Sequence, residues 1–596
     1  MMSEIKERSM IPEKYKWKLE HIYQDAAAWE KDFADVNALV EAYAAYQGHV
    51  AETPCVAIRE EHALSKRLLR LSYYAMLQRE ADNGDSAAQA QYDRILGLEV
   101  KAASVTSCLV PELLQLEEDK LLALKKEPGM EDFDVFLDEL LREKAHILSP
   151  AEEKLLAGMG ELQQAPDNIF SMLTCADMKF PDVVSSDGTR LPLTNSNYGA
   201  YLQSPDRETR RSAFMNLHET YGSYGNTLAA TYGASVKKDC FNASARKYSS
   251  ARAAAMEPLQ IPEGVYDGLI EQVHQALPVL QEYLQLRKKV LGLEEMHMYD
   301  LYCPLVQDYD LVLPYEKAFD LVLEGLQPMG EDYLAMLRRA RDEGWIDVFP
   351  AKNKSGGAFS AGDLADVHPY VLLNHIDNLD SAFTIAHELG HSMHSYYSNQ
   401  TQPDTKADYS LFVAEVASTC NEATMLRQLL KKEQQPRARA YLLNHFLEQF
   451  RTTVFRQTMF AEFEKKIHEM SEAGEPLTRE TMTEVYLELN RLYYGESCVV
   501  DEAIGNEWMR IPHFYSAFYV YVYATGLCAA VALSDRILRE GEPAVKACRR
   551  FLSAGSSVPP LEALKLAGID MGSPEPVRQA MQVFRETLEE IKKIIG

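Results

Sequence analysis

The 596-residue sequence contains little cysteine and no excess of positive charge. Its nine cysteines are an odd number without a C-x-x-C pair, which argues against a disulfide framework and favours a reducing compartment. Acidic residues outnumber basic ones by 89 to 61, and the formal net charge is -28. Because such a surface repels phosphate backbones and no local basic patch offsets it, we expect no nucleic-acid partner.

The sequence also lacks the segments that direct a chain to a membrane. Met1–Tyr23 has charges throughout and no apolar core, unlike a secretory signal peptide. Phe514–Ser534 has no charged residue over about the length that spans a bilayer. Its first half contains four tyrosines, however, whose hydroxyls would have no partners in hydrocarbon. We therefore expect a buried helix in a cytoplasmic protein, with no membrane partner.

Apolar residues recur three and four positions apart along most of the chain, which predicts a mainly α fold. The clearest such segments are Glu60–Gln78, Asp132–Ala145, Pro262–Leu291 and Tyr315–Asp342. Two other segments indicate β structure. Met178–Thr194 alternates around an Asp-Gly pair and predicts a hairpin. Lys352–His375 combines a glycine-containing turn with a short strand at His368–His375, which predicts a small sheet beside the helix that follows it in the chain.

The length exceeds that of a single compact core, so we expect two or more domains. We place a soft boundary after the predicted hairpin. This divides the chain into an N-terminal helical domain, residues 1–195, and a second domain, residues 196–596, that contains the candidate catalytic residues.

The motif H-E-L-G-H at residues 387–391 is chemically the most informative segment. Two histidines four positions apart on a helix share one face, so both imidazoles can bind one tetrahedral metal ion. Glu388, beside the first histidine, can accept a proton from metal-bound water and pass it to a leaving amine. Asp380 or Ser381 is expected to cap this helix. Gly390 costs about 1 kcal/mol of helix propensity, which close approach of another backbone would explain.

The motif alone also fits a core helix with satisfied histidines, and a third ligand separates the two interpretations. Catalytic zinc has three protein ligands and an open position for water. In the helical segment Asp408–Glu422, Glu415 is a carboxylate among apolar neighbours, and such an acid is expected to bind a metal or a counter-charge. The chain before it allows a turn near Pro403 and a second helix that runs back. We predict one zinc ion per chain, bound by His387, His391 and Glu415.

Two further residues are candidates at this site. His394 follows His391 by three positions and is an alternative ligand. The set with Glu415 is preferred because it gives Glu388 a function, which leaves His394 a supporting or packing role. Glu422 either accepts the second N–H of a ligand histidine or forms a surface ion pair, and both interpretations stay open.

Peptide hydrolysis also needs donors to the oxyanion of the tetrahedral intermediate. Tyr515, Tyr519 and Tyr523 are spaced by four, so a continuous helix would align their hydroxyls in one row. His513 precedes them and is a further candidate donor. The alternative is an aromatic core stripe, although each buried hydroxyl would then need a partner.

Several segments resemble the oligoendopeptidase F family, relatives of thimet oligopeptidase and neurolysin among the zinc metallopeptidases. They are KSGGAFS (Lys354–Ser360), HELGHSMHSYYS (His387–Ser398), FVAEVASTCNE (Phe412–Glu422) and IPHFYSAFYVYVYATG (Ile511–Gly526). The resemblance spans nearly the whole chain. It implies a large helical ellipsoid split by a deep channel with zinc at its floor. It also implies cleavage of short unstructured peptides, since the channel admits only a thin chain.

The resemblance implies two further roles. The strand His368–His375 would hold the substrate by backbone pairing, and His513 with a nearby tyrosine would stabilise the transition state. The spacing from this histidine to its tyrosines is shorter than in the thimet branch. We therefore rank Tyr523 first, Tyr519 second and Tyr515 third.

These observations predict a zinc endopeptidase that hydrolyses oligopeptides, with Glu388 activating the attacking water. A zinc carboxypeptidase of similar fold is one alternative, and it would need a positive group for the substrate's terminal carboxylate. A non-catalytic helical scaffold that binds peptides is an alternative from another class, but it has no use for Glu388 between the two histidines. Neither the oligomeric state nor the cleavage preference follows from the sequence.

Overall fold

The computed structural model describes residues 6–306 and 312–596, and 72% of it is helix and 2% strand. The prediction of a mainly α fold is therefore confirmed. In chain order the α-helices are α1 (Ala26–Tyr43), α2 (Pro54–Ala81), α3 (Ser86–Thr106), α4 (Leu109–Leu114), α5 (Glu118–Leu124), α6 (Asp134–Glu143), α7 (Pro150–Gly158), α8 (Gly160–Ser171), α9 (Tyr198–Leu202), α10 (Arg207–Ser223), α11 (Gly225–Ala245), α12 (Ala251–Met256), α13 (Glu263–Val290), α14 (Tyr315–Gly325), α15 (Glu331–Asp342), α16 (Leu379–Thr401), α17 (Leu411–Lys432), α18 (Pro436–Gln449), α19 (Arg456–Glu472), α20 (Arg479–Tyr494), α21 (Tyr521–Glu540), α22 (Glu542–Leu552), α23 (Pro560–Leu566) and α24 (Glu575–Ile595). The strands are β1 (Val183–Val184), β2 (Arg190–Leu191), β3 (Ile346–Asp347), β4 (Phe359–Ala361) and β5 (Tyr370–Leu372).

One of the predicted helices is interrupted. The segment Tyr315–Asp342 forms α14 and α15 rather than a single helix, with a short 3₁₀ turn, Gln327–Met329, between them. Gly330 follows this turn with φ +90°. This backbone conformation is not helical, and glycine adopts it more readily than residues with a side chain. The chain therefore changes direction where the sequence periodicity alone suggested continuity.

The two compact units of the chain are each assembled from three segments. The first unit comprises Met1–Ala145, Asp310–Gln428 and Leu533–Ile569, and the second comprises His146–Tyr309, Leu429–Ala532 and Asp570–Gly596. The predicted boundary near residue 195 lies inside a segment of the second unit. The division into domains 1–195 and 196–596 stays a prediction, as does the deep channel.

In the first unit, a three-stranded sheet has β5 at its centre. β3 runs parallel to β5, with Ile346 opposite Val371, and β4 runs antiparallel, with Ser360 opposite Val371. The predicted strand near His368–His375 is thereby confirmed. The Ser360 hydroxyl lies 2.8 Å from that of Ser392 on α16, so the sheet packs beside the helix that contains both motif histidines, as predicted.

A buried lysine fixes the glycine-containing turn that precedes β4. The ammonium group of Lys354 donates hydrogen bonds to the carbonyl oxygens of Asp347, Phe349 and Leu373. It also pairs with the Asp347 carboxylate at 2.8 Å. Because all these partners lie on or next to β3 and β5, Lys354 ties the turn to the sheet. The lysine of the KSGGAFS segment thus has a structural role.

The second unit contains the predicted hairpin. Val183 pairs with Leu191 and Val184 with Arg190 in antiparallel register. Gly188 lies in the turn at φ +84°, which explains the Asp-Gly pair that predicted it. The hairpin prediction is confirmed.

No helix in the described part of the chain has the length and hydropathy that crossing a bilayer requires. The segment Phe514–Ser534 is also not one helix. A 3₁₀ turn, Pro512–Tyr515, comes first, and α21 begins only at Tyr521. Residues 524–533 are buried, which confirms the buried position expected for the apolar part. A cytoplasmic location and the absence of nucleic-acid partners stay predictions.

Candidate metal centre

Helix α16 provides two candidate ligands and begins earlier than predicted. Its N-cap is Asn378, whose side-chain oxygen accepts a hydrogen bond from the Ser381 backbone N–H at 2.9 Å. Asn378 has extended backbone angles, whereas Asp380 lies inside the first turn. The predicted cap at Asp380 or Ser381 is therefore wrong. The acid instead lies near the positive end of the helix dipole, where a negative charge is favourable.

Helix α17 crosses α16 in backbone contact at Gly390. A Cβ atom placed on Gly390 would lie 2.5 Å from the Ser418 Cα and 2.9 Å from the Ala417 carbonyl oxygen. The Asn421 amide group also donates to the Ala386 carbonyl oxygen at 3.0 Å. Only a residue without a side chain permits this approach, so the reason expected for the glycine is confirmed.

The crossing brings Glu415 to both motif histidines. Its Oε2 lies 3.3 Å from His387 Nε2 and 3.6 Å from His391 Nε2. The two Nε2 atoms are 3.2 Å apart. Within the described residues, His387, His391 and Glu415 form a cluster that could bind a metal, with one ligand atom from each residue within 4.8 Å of the others.

These separations fit zinc. Zinc binds nitrogen and carboxylate oxygen at roughly 2.0–2.2 Å, and a tetrahedral angle then puts neighbouring ligand atoms about 3.3 Å apart. The observed separations of 3.2, 3.3 and 3.6 Å bracket that value. Two imidazoles and one carboxylate also match the donor set of catalytic zinc sites. The three residues can therefore hold the ion and leave a fourth position open.

A second carboxylate orients the first histidine. Glu422 Oε1 lies 2.5 Å from His387 Nδ1. This contact favours the tautomer with the proton on Nδ1, so that Nε2 presents a lone pair toward His391 and Glu415. Of the two interpretations left open for Glu422, this contact matches the one in which Glu422 accepts the second N–H of a ligand histidine.

The electrostatics of the cluster favour a positive charge. Burial lowers the pKa of His387, but hydrogen bonds to Glu415 and Glu422 outweigh it and raise this pKa to about 10. Burial raises the pKa of Glu415, but the two histidines hold it well below its usual range. A field that favours a proton on His387 also favours a metal cation, and the two compete for the same lone pair.

Glu388 lies beside the cluster and is buried, with 6% of its surface exposed. Burial raises the pKa of its carboxyl group, although His387 and His391 partly oppose this effect. A carboxylate whose pKa is shifted toward neutrality is a better general base than an exposed one.

His394 does not join the cluster. Its ring stacks on Tyr409, with centroids 3.6 Å apart and planes 9° from parallel. It is almost fully buried, and burial lowers its pKa to about 3. The alternative that made His394 a ligand is not supported, and a packing role fits its contacts.

The candidate oxyanion donors belong to the second unit. His513, Tyr519 and Tyr523 form one cluster, in which the Tyr523 hydroxyl lies 3.5 Å from His513 Nε2. The Tyr519 ring lies 6.2 Å from that of His513 and 5.3 Å from that of Tyr523. Tyr515 packs instead against Phe170, with the two ring centres 4.6 Å apart.

The predicted row of three hydroxyls on one helix is therefore wrong. Tyr515 ends a 3₁₀ turn, and Tyr519 precedes α21. Between them Phe518 adopts φ +56°, a left-handed conformation that interrupts the helix. Its backbone N–H donates to the buried carboxyl group of Glu464 at 2.8 Å. Glu464 could not be identified from the sequence, because nothing in its local pattern distinguishes it from the other acids of an amphipathic helix.

Two family models match this chain. Residues 200–583 match the model described as Peptidase family M3, and residues 112–180 match the model described as Oligopeptidase F. The chain belongs to peptidase family M3.

Two curated relatives match this M3 peptidase over almost its whole length. Oligopeptidase PepF of Bacillus subtilis is 45% identical, with 100% of this chain and 89% of that protein covered. Group B oligopeptidase PepB of Streptococcus agalactiae is 38% identical, with 99% and 98% covered. The resemblance to the oligoendopeptidase F family is confirmed, and these matches support the assignment of the chain as a peptidase.

Solved structures agree with this assignment. Oligoendopeptidase-F of Enterococcus faecium is 36% identical, with a TM-score of 0.75 over 95% of the M3 peptidase and 98% of that chain. A protein from Chlamydophila abortus is 33% identical, with a TM-score of 0.93 over 99% and 100%.

Proposed function

We propose that this M3 peptidase is a zinc-dependent endopeptidase that hydrolyses internal bonds of short, unstructured oligopeptides. The observation that supports it is the spacing of one ligand atom each from His387, His391 and Glu415, which matches tetrahedral zinc. The names of the relatives, oligopeptidase PepF and oligoendopeptidase-F, favour oligopeptides cut at internal bonds.

In the proposed mechanism, His387, His391 and Glu415 would hold a zinc ion, which would supply Lewis-acid activation of water and of the scissile carbonyl group. Glu388 takes the proton from the attacking water and later gives it to the departing amine. Its burial suits both steps, because a carboxyl group with a raised pKa holds the proton between them. Glu422 keeps the His387 ring in the tautomer that leaves Nε2 available as a ligand.

The oxyanion donors in this proposal are His513 and Tyr523, with Tyr519 as the second tyrosine. The family resemblance supports the assignment, and so does the clustering of the three side chains. Tyr523→Phe is expected to lower kcat about 10²–10³-fold with little change in KM, since an oxyanion donor acts in the transition state. Tyr515→Phe is the matched control and should keep its kcat, because the Tyr515 ring packs against Phe170. Equal losses in both variants would contradict the assignment.

Metal removal tests the proposal as a whole. Dialysis against a chelator is expected to abolish cleavage of an internally quenched peptide, and about one equivalent of Zn²⁺ per chain should restore it. The peptide carries an acetylated N-terminus and an amidated C-terminus, and mass spectrometry locates the cut. Cleavage that resists the chelator after zinc loss would refute the zinc mechanism.

The same assay separates the alternatives. An endopeptidase cuts the amidated peptide at internal bonds, whereas a carboxypeptidase requires a free terminal carboxylate. Activity restricted to peptides with a free C-terminus would therefore favour the carboxypeptidase. Binding of the peptide without cleavage, in protein loaded with zinc, would favour the scaffold.

A further inference from the structure

The second unit contains a cavity of about 320 Å³ that the proposed peptidase mechanism does not use. Its lining includes two arginines, Arg456 and Arg510, and one acid, Glu507. Much of the remaining wall is aromatic or apolar, as with Tyr198 and Leu301. Two arginines and one glutamate give the lining a net positive formal charge, whereas the whole chain has a net charge of -28.

Arg456 forms a hydrogen-bonded ion pair with Glu507, the acid in the cavity lining. Its Nη2 donates to Glu507 Oε1 at 2.5 Å, and the Tyr486 hydroxyl donates to Glu507 Oε2 at 2.5 Å. Burial raises the pKa of Glu507, but the positive charge of Arg456 and its neighbours holds this pKa below the usual range. Arg456 and ionised Glu507 thus form a balanced pair.

Arg510 is left with a surplus positive charge. Its Nη1 lies 3.8 Å from Glu507 Oε1, which is beyond hydrogen-bonding distance. Its Nε is buried and has no hydrogen-bond partner within the described part of the chain. The guanidinium carbon lies 5.1 Å from the centre of the Tyr198 ring, a cation–π contact that does not use its N–H groups.

Burying the Nε–H group of a partly buried cation without a hydrogen-bond acceptor is costly, and a bound anion would remove that cost. The guanidinium group is planar and pairs with a carboxylate through two parallel hydrogen bonds. One surplus charge matches a monoanion better than a phosphate dianion. The apolar wall also offers contact area that a small inorganic ion cannot use, and the volume is at the lower end of small-molecule sites.

We propose that this cavity binds a small monocarboxylate through Arg510, with the ligand's apolar part against Tyr198 and Leu301. The ligand class is an acylated amino acid or a short peptide with a free C-terminus, which is the chemistry that peptide hydrolysis produces. The inference does not depend on the zinc mechanism, because it concerns binding rather than cleavage.

Isothermal titration of the zinc-loaded protein tests this site with N-acetyl-leucine as the probe. N-acetyl-leucinamide is the neutral twin, and sodium phosphate is the inorganic competitor. We expect N-acetyl-leucine to bind and the amide to bind at least about tenfold more weakly, because it lacks the charge-assisted hydrogen bonds. Arg510→Met should bind N-acetyl-leucine more weakly than the parent by the same factor. Arg510→Lys should bind it with an affinity between those of the parent and Arg510→Met, since lysine keeps the charge without the planar guanidinium group. Arg338→Met, on the exposed side of α15, is the matched control and should bind as the parent does.

Several results would overturn the proposal. They are equal affinity for the acid and its amide, unchanged binding by Arg510→Met, and complete displacement by phosphate at equal concentration. Thermal unfolding without ligand checks the surplus charge itself. Arg510→Met should melt no lower than the parent, and a clearly lower midpoint would show that Arg510 already has a counter-charge.

Discussion

Glutamine at position 388 is expected to lower kcat on an oligopeptide about 10²–10⁴-fold, because the amide cannot accept the proton that Glu388 takes from water. Zinc content should stay near one ion per chain, since Glu388 is not among the three proposed ligands. Steady-state kinetics and metal analysis of the same preparation measure both effects. Glu331→Gln, at an exposed ion pair on α15, is the control and should retain full activity. A Glu388→Gln enzyme within tenfold of the parent would exclude the proposed base.

Glu422→Gln should give the opposite pattern. Its carboxylate contacts His387 Nδ1 rather than the reacting water, so its loss is expected to weaken zinc affinity about 10–100-fold. With zinc in excess, kcat should recover substantially, because Glu388 remains in place. If Glu422→Gln instead bound zinc normally and lost turnover, the roles assigned to the two carboxylates would have to be exchanged.

Alanine in place of Gly390 is expected to destabilise the first unit and to weaken zinc binding. Helix propensity alone would favour alanine by about 1 kcal/mol. The new methyl group, however, would lie 2.5 Å from the Cα of Ser418, and backbone atoms cannot rotate aside. Relieving the overlap requires α16 and α17 to separate, at a cost of about 1–3 kcal/mol or more. Because Glu415 is on α17 and the histidines are on α16, the separation also moves the ligands apart.

Gly268→Ala provides the matched control for this substitution. Gly268 is also within a helix, α13, but a Cβ atom there has no neighbour within 4 Å. It should be neutral or slightly stabilising, while Gly390→Ala lowers the unfolding midpoint and raises the zinc Kd in competition with a chelating dye. Equal behaviour of the two variants would show that close approach of the helices is not what requires the glycine.

The sequence was sufficient for those parts of the site that depend on local geometry. The four-residue spacing of His387 and His391 fixes their shared helix face, and the apolar neighbours of Glu415 indicated an acid with a partner. The cap was missed because Asn378, Asp380 and Ser381 all have side chains that can cap a helix. Only the backbone angles distinguish them, and these depend on how the preceding strand enters α16.

The tyrosine segment shows the opposite case. Spacing by four suggested one helix, but Phe518 turns into the left-handed region, where its N–H meets Glu464. Glu464 is 54 residues away in sequence and lies next to Lys465 in an ordinary amphipathic helix. Its burial arises from tertiary packing, which no local pattern encodes. For the same reason, the surplus charge of Arg510 became visible only from its distances to other side chains.

The alternation of chain segments between the two units has a consequence for biosynthesis. The first unit includes Leu533–Ile569, so the helices that hold the candidate ligands gain their last structural partners only after this segment has been translated. Until then the nascent first unit exposes apolar surface, a state in which chaperones commonly intervene. For the same reason, no single cut in the chain releases either unit whole.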